Sequence, residues 1–195
     1  MPSNTFHLLV DRSLQAIAGL RRMEPAVTEA SRCMAGALTA GRKILCCGNG
    51  GSAAESGHLA TELLCRLDKD RRALPALNLS GDASFLTATA NDYTFEEVFA
   101  RQVAGLGQEG DVLVAFTTSG NSPNILRVLE VARQKGLFSI ALLGRDGGAA
   151  AALADIPLVV PARATMHIQE AHQVLLHILC VQIEAILFPG LNTIE

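Results

Sequence analysis

The sequence predicts an α/β fold. It reads as a three-layer α/β/α sandwich with a central parallel sheet of about five strands and a helical pair attached at the N-terminus. Three observations carry that expectation. Short apolar runs alternate with stretches of helical periodicity. The runs are apolar at successive positions, as strands covered on both faces require. The succession of strand, small-residue turn and helix occurs twice.

Phe6 to Met23 and Ala26 to Leu38 carry apolar residues at helical spacing, with Pro25 between them. Lys43 to Cys47 reads as the first strand, meeting Gly48-Asn-Gly-Gly-Ser52, and Ala53 to Leu67 as the helix that follows. Leu74 to Leu79 is a further apolar run. Asp82 to Ala90 and Thr94 to Leu106 are helical in pattern, interrupted by Ala90-Asn91-Asp92-Tyr93. Asp111 to Phe116 then leads through Thr117-Thr-Ser-Gly-Asn-Ser122 into a helix from Pro123 to Lys135; proline suits a first helical turn, where its missing N–H costs nothing. Phe138 to Leu143 and Ile156 to Val160 supply two more runs, and Thr165 to Leu187 is one long helix before Pro189-Gly190. No linker, low-complexity tract or charge block divides the chain, so one domain over 1–195 is expected, with N-terminal helices at about 1–40 appended to the core. The order of the strands does not follow from spacing.

Composition narrows the class. A net charge of −3 with only 18% charged residues sets up no field for nucleic acid or an anionic membrane. No run approaches the ~18 consecutive apolar residues of a bilayer span. The N-terminal segment intersperses Asp11, Arg12, Arg21 and Arg22 among its apolar residues, which is the pattern of an amphipathic helix and not of an export signal. Five cysteines at scattered spacing, with no paired C-x-x-C, fit reduced, buried thiols in a cytoplasmic protein. Apolar residues make up 49% of the chain and mean hydropathy is +0.29, so a homo-oligomer that covers part of this surface is expected.

Both small-residue turns would lie at carboxyl ends of parallel strands, where a helix N-terminus offers free N–H groups and a positive dipole end to an anion such as phosphate. Gly48, Gly50 and Gly51 permit close backbone approach, while Thr117, Thr118, Ser119 and Ser122 add hydroxyls. Such residues also make ordinary turns and caps; two hydroxyl-rich turns after successive strands favour the anion reading. Neither turn has G-x-G-x-x-G or Walker spacing, which points to a phosphorylated small molecule over a dinucleotide or triphosphate. His58 and Glu62 are four apart on an apolar helix, and Gln169, Gln173 and His177 form a polar stripe on the last helix. Each set could be a surface pair or a group of locally satisfied structural residues. If the two faces meet, they make an N/O metal site or an acid/base pair.

Gly48-Asn-Gly-Gly-Ser52 with His58 and Glu62, Ala90-Asn91-Asp92, Thr118-Ser-Gly-Asn-Ser122, and Ile168-Gln-Glu-Ala-His172 with His177 together resemble the sedoheptulose 7-phosphate isomerases of the sugar isomerase (SIS) superfamily, over nearly the whole chain. The resemblance implies an SIS-type sandwich, a homotetramer with active sites between subunits, and conversion of sedoheptulose 7-phosphate to D-glycero-D-manno-heptose 7-phosphate for bacterial surface heptose. It also implies that Thr117, Thr118, Ser119 and Ser122 hold the phosphate. Asn49, Gly50, Gly51, Ser52, Glu62, Asn91, Asp92 and Gln169 would contact substrate. One zinc per subunit would be bound by His58, Glu62, Gln169 and His177, with Glu62 as base and His177 as acid through an enediol. Where the family commonly has Arg before Ile-Gln-Glu, this chain has His167. The stretch from Leu74 to Asp92 and the ending Leu187-Phe-Pro189 are similar to a sister protein that binds the replication initiator DnaA, a non-catalytic relative that lacks the carboxylate at the position of Glu62. The complete set of Glu62, His177, His58 and Gln169 favours the enzyme.

Overall fold

The computed structural model describes residues 2–190; residue 1 and residues 191–195, the outer limits of the domain expected over 1–195, lie outside the described residues. Five strands form one parallel sheet: β1 (Ile44–Gly48), β2 (Ala76–Asn78), β3 (Val112–Thr117), β4 (Phe138–Leu143) and β5 (Ile156–Val159), in the order β2-β1-β3-β4-β5. β1 and β3 are buried along their whole length because sheet lies on either side of them and helices lie above and below. Their alternate residues serve different layers. Ile44 and Cys46 face one core with Val112 and Val114, and Leu45 and Cys47 face the other with Leu113 and Ala115. The outermost strand β5 accommodates Pro157, whose missing N–H would break a central ladder.

One layer contains α1 (Pro2–Gly19), α2 (Glu24–Thr39), α3 (Gly51–Leu64) and α8 (Thr165–Leu187); the other contains α4 (Ala83–Asp92), α5 (Glu97–Leu106), α6 (Pro123–Gln134) and the short α7 (Ala150–Leu153). The order in which strands are added across the sheet reverses between β1 and β3, so α3 leaves the sheet on one face and α6 on the other. The two turns flank the crevice of a topological switch point.

Several local expectations need correction. Pro25 does not separate two helices: a 3₁₀ turn over Leu20–Met23 does, and Pro25 occupies the first turn of α2, where a proline ring fits. α3 starts two residues before Ala53 and ends at Leu64, and α7 was not anticipated. α8, although it has no long uninterrupted apolar run, is the one helix among the described residues long and apolar enough to cross a membrane by length and composition. It is instead a core helix, burying Ile168, Leu175, Leu176, Leu179 and Ile183 against α2 and α3. Of the cysteines, Cys46, Cys47 and Cys180 are buried, Cys33 is half-buried and Cys65 is exposed; all five are free. Burial pushes the Cys180 thiol up to about 12, with the Glu62 and Glu184 charges adding to the rise.

Asp111 joins the starts of β1 and β3. Its carboxylate accepts from the Lys43 N–H at 3.0 Å, the Lys43 ammonium at 2.5 Å and the Gln108 N–H at 2.8 Å. Burial opposes its ionisation, but these donors, Lys43 foremost, hold the carboxyl below its ordinary range. Stability from this group is therefore complete above the unfolded-state value of about 3.9 and is lost as pH falls through the lower folded-state value. Asp111→Asn is expected to cost about 1.5–3 kcal/mol at neutral pH in urea unfolding. The variant's stability should also decline less steeply on acidification than that of the parent.

Candidate functional site

The two turns meet across the crevice. After β1 the chain passes through Gly50, at φ +58°, a region that a side chain would strain, and enters α3. Asn49 is fixed there by a reciprocal amide pair with Asn124 on α6, each NH₂ donating to the other's carbonyl at 2.9 Å. Opposite, the Thr117 hydroxyl lies 3.5 Å from that of Ser119 and 3.4 Å from that of Ser122. Between the turns is a cavity of about 220 Å³ lined by Asn49, Gly51, Ser52, Phe116, Thr117, Thr118, Ser119, Ser122, Thr165 and Gln169. Among the described residues, no ionisable side chain lines it. Hydroxyls, amides and helix N-termini in a neutral pocket suit a phosphate monoester. Gly51 admits Gln169: a Cβ there would stand 2.2 Å from the Gln169 Nε2.

A second group lies further along α3. His58 Nε2 is 2.8 Å from Glu62 Oε1 and 3.4 Å from His177 Nε2 on α8, with the two rings edge to face. One ligand atom from each of the three residues lies within 4.8 Å of the others, and all three are half-buried. Two imidazole nitrogens and a carboxylate oxygen fit zinc, and three protein ligands leave a coordination position open, as in catalytic zinc sites. The fit is to three of the four residues expected. Gln169 stands with Gly51 at the start of α3, seven residues and about 10 Å of helix rise from His58.

The remaining expected residues divide clearly. Asn49, Gly51, Ser52, Thr117, Thr118, Ser119, Ser122 and Gln169 line the cavity; Gly50 shapes its turn without lining it. Asn91 and Asp92 end α4, exposed and hydrogen-bonded to each other at 2.9 Å, and line neither group. His167 is buried against α1, its Nδ1 3.1 Å from both the Ser13 hydroxyl and Glu170 Oε2, so it serves packing between helices. His172 is also internal, near Glu55 and the Leu143 carbonyl. Asn124, Phe116 and Thr165 were missed. Asn124 alone carried a usable signal, as a polar residue in the first turn of the helix that follows the second hydroxyl-rich turn. A neighbouring concavity of about 670 Å³ shares Ser119 and adds Arg145, which holds a left-handed φ of +58°, and Arg163.

Residues 10–144 match the family model for the SIS domain. The chain is 48% identical over 174 residues to a phosphoheptose isomerase of Halorhodospira halophila, covering 88% of each chain. Among solved structures, the phosphoheptose isomerase of Francisella tularensis superimposes with a TM-score of 0.90 at 38% identity, covering 94% of this chain and 98% of that one. That of Neisseria gonorrhoeae gives 0.90 and 38%, covering 95% and 100%.

The amide pair gives a stability test independent of any activity. Asn124→Ala leaves the Asn49 amide without its buried partner, and a loss of about 1–3 kcal/mol is expected in chemical denaturation. An unchanged midpoint would show that the pair does not hold the two turns together.

Proposed function

Because the chain belongs to the phosphoheptose isomerase family of SIS-domain proteins and is a sugar-phosphate isomerase, we propose that it converts sedoheptulose 7-phosphate into D-glycero-D-manno-heptose 7-phosphate. The observation that carries this reading is the pairing of two stations along α3. One is an uncharged, hydroxyl-lined cavity at the start of the helix; the other is a carboxylate and two imidazoles about 10 Å further on, a separation that an open-chain seven-carbon phosphate can bridge.

In the proposed reaction, Thr117, Thr118, Ser119 and Ser122 hold the phosphate while Asn49, Ser52 and Gln169 bond the sugar hydroxyls. Gly50 and Gly51 bring backbone N–H groups close, and Asn91 and Asp92 would reach substrate from the rim. Glu62 takes a proton from C1, and His177 donates one to O2, giving the enediol. Return of a proton to C2 and loss of the O1 proton then yield the aldose, with no external oxidant. Zinc held by His58, Glu62 and His177 would supply Lewis-acid polarisation of the substrate oxygens. A fourth ligand from Gln169 would come from a second copy of the chain, in keeping with sites shared between subunits. Support for a homotetramer comes from the apolar residues that α1 and α8 leave exposed, Phe6, Leu14, Met166 and Ile186 among them. A cytoplasmic location and a role in surface heptose synthesis follow from the same reading. The carboxylate of Glu62, gathered with His58 and His177, argues against the non-catalytic, initiator-binding alternative.

Incubation of purified protein with sedoheptulose 7-phosphate is expected to yield the aldose, and chelation to abolish turnover with restoration by zinc. Glu62→Gln should lower kcat at least about a hundredfold; full turnover by this variant would remove Glu62 as the base. Light scattering is expected to give four chains per particle, and a monomer would overturn the shared site.

A further inference from the structure

α3 and α8 meet at contacts that ascend both helices in the same order, so the two run side by side in one direction. Gly51 meets Gln169, Glu55 meets His172, and His58 meets His177. Just beyond the end of α3, Arg71 meets Glu184. The catalytic cluster is the third of these contacts, and the ones on either side of it are buried. Glu55 and His172 lie 2% and 0% exposed, their carboxylate and Nδ1 3.4 Å apart, while the Arg71 and Glu184 side chains are 1% and 0% exposed.

The Arg71 guanidinium uses every edge. Its Nε donates to Glu184 Oε1 at 2.8 Å, its Nη2 to the carbonyl of Glu62 at 2.7 Å, and its Nη1 to the carbonyls of Leu63, Cys65 and Arg72 at 2.8, 3.3 and 3.1 Å. The carbonyls of Glu62 and Leu63 belong to the last turn of α3, where no helical N–H can reach them. Glu184 follows His177 by seven residues, two turns along the same face of α8. One buried cation therefore ties the backbone of Glu62 to the helix that carries His177.

Stability alone is a poor explanation for this arrangement. Glu184 Oε2 and Glu55 Oε1 are buried without a hydrogen-bond partner, and apolar side chains of similar volume join two helices at least as well as an ion pair. Apolar packing does, however, tolerate small slides and repacking, whereas metal ligands must sit within about 0.2 Å of their required distances. We propose that Arg71 and Glu184 are positioning residues that set Glu62 against His177, with Glu55 and His172 bracing the cluster from the other side. The proposal rests on the reading of His58, Glu62 and His177 as a zinc and acid/base centre.

The test compares the parent protein with Arg71→Lys, Glu184→Gln and Glu55→Gln. Zinc affinity is read by competition with a chromogenic chelator, geometry by the visible spectrum of the cobalt-loaded protein, and kcat and KM at saturating zinc. Val103→Ala, in the core on the opposite face of the sheet, controls for lost stability alone. The Arg71 and Glu184 variants are expected to bind zinc about tenfold or more weakly, to shift the cobalt spectrum and to lose kcat, with KM within about twofold because the phosphate turn is untouched. The control should lower Tm without moving the other readouts. Folded variants with zinc affinity, spectrum and kcat like the parent's would overturn the proposal, as would failure of all three to fold, which would make the contacts purely structural. A parent that binds zinc but does not turn over sedoheptulose 7-phosphate would overturn the assigned reaction and leave the positioning role standing. A parent that binds no zinc would remove the metal reading and the positioning role with it, whether or not it turns over sedoheptulose 7-phosphate.

Discussion

A parallel sheet brings the carboxyl ends of all its strands to one edge, and that constraint organises this protein. Once β1 and β3 are neighbours, the turns after them are forced together while their helices diverge to opposite faces. The crevice between the turns then costs no special device beyond residues small enough to approach. Gly51 lets Gln169 of α8 lie on the first turn of α3, and the Asn49 and Asn124 amides close the gap between α3 and α6. The same geometry lays α3 along α8, which is how two helices separated by a hundred residues of chain come to share one polar seam.

That seam explains the composition of α8. Its mean hydropathy is high enough for a membrane span, yet its polar residues are not scattered. Gln169, His172, His177 and Glu184 each meet a partner on or just after α3, and the apolar residues between them pack against α2 and the sheet. A helix that must be apolar to fill the core and polar to build a site resolves the conflict by turning these four groups toward α3, although its Gln173 and Gln182 keep buried amide oxygens without a hydrogen-bond partner. The unpartnered oxygens of Glu55 and Glu184 show that even so the match is incomplete.

Much of this was legible locally and little of it at long range. The bounds of α8 and β4 agree with periodicity because nothing competes with it there, whereas Pro25 misled because a proline marks a helix start as readily as a break. Most residues around the cavity were readable because they lie in or beside the turns after β1 and β3, whereas Phe116, inside β3, and Thr165, at the start of α8, carried no such signal. The i, i+4 stripe correctly put Gln169 and His177 on one face of α8. It could not show that they lie at different levels of the seam, one on Gly51 and the other on His58. Arg71, Glu184 and Asn124 went unnoticed because their partners lie 75 or 113 positions away, or on backbone carbonyls that no side-chain pattern reveals.

The neutrality of the cavity also bears on function. A phosphate bound by lysine or arginine gains much of its affinity from net charge, which draws in any polyanion and weakens with salt. Here the lining offers hydroxyls, amides and helix ends, while Arg145 and Arg163 line the neighbouring concavity instead. Fixed dipoles of this kind discriminate by shape and hydrogen-bond count, and they hold a monoester without the strong field that would slow product release. A chain with a net charge of −3 can therefore bind a sugar phosphate selectively. Because the lining contributes no charge, ionisable groups that could act on a bound sugar must come from elsewhere, and the cluster of His58 and Glu62 on α3 with His177 on α8 offers them.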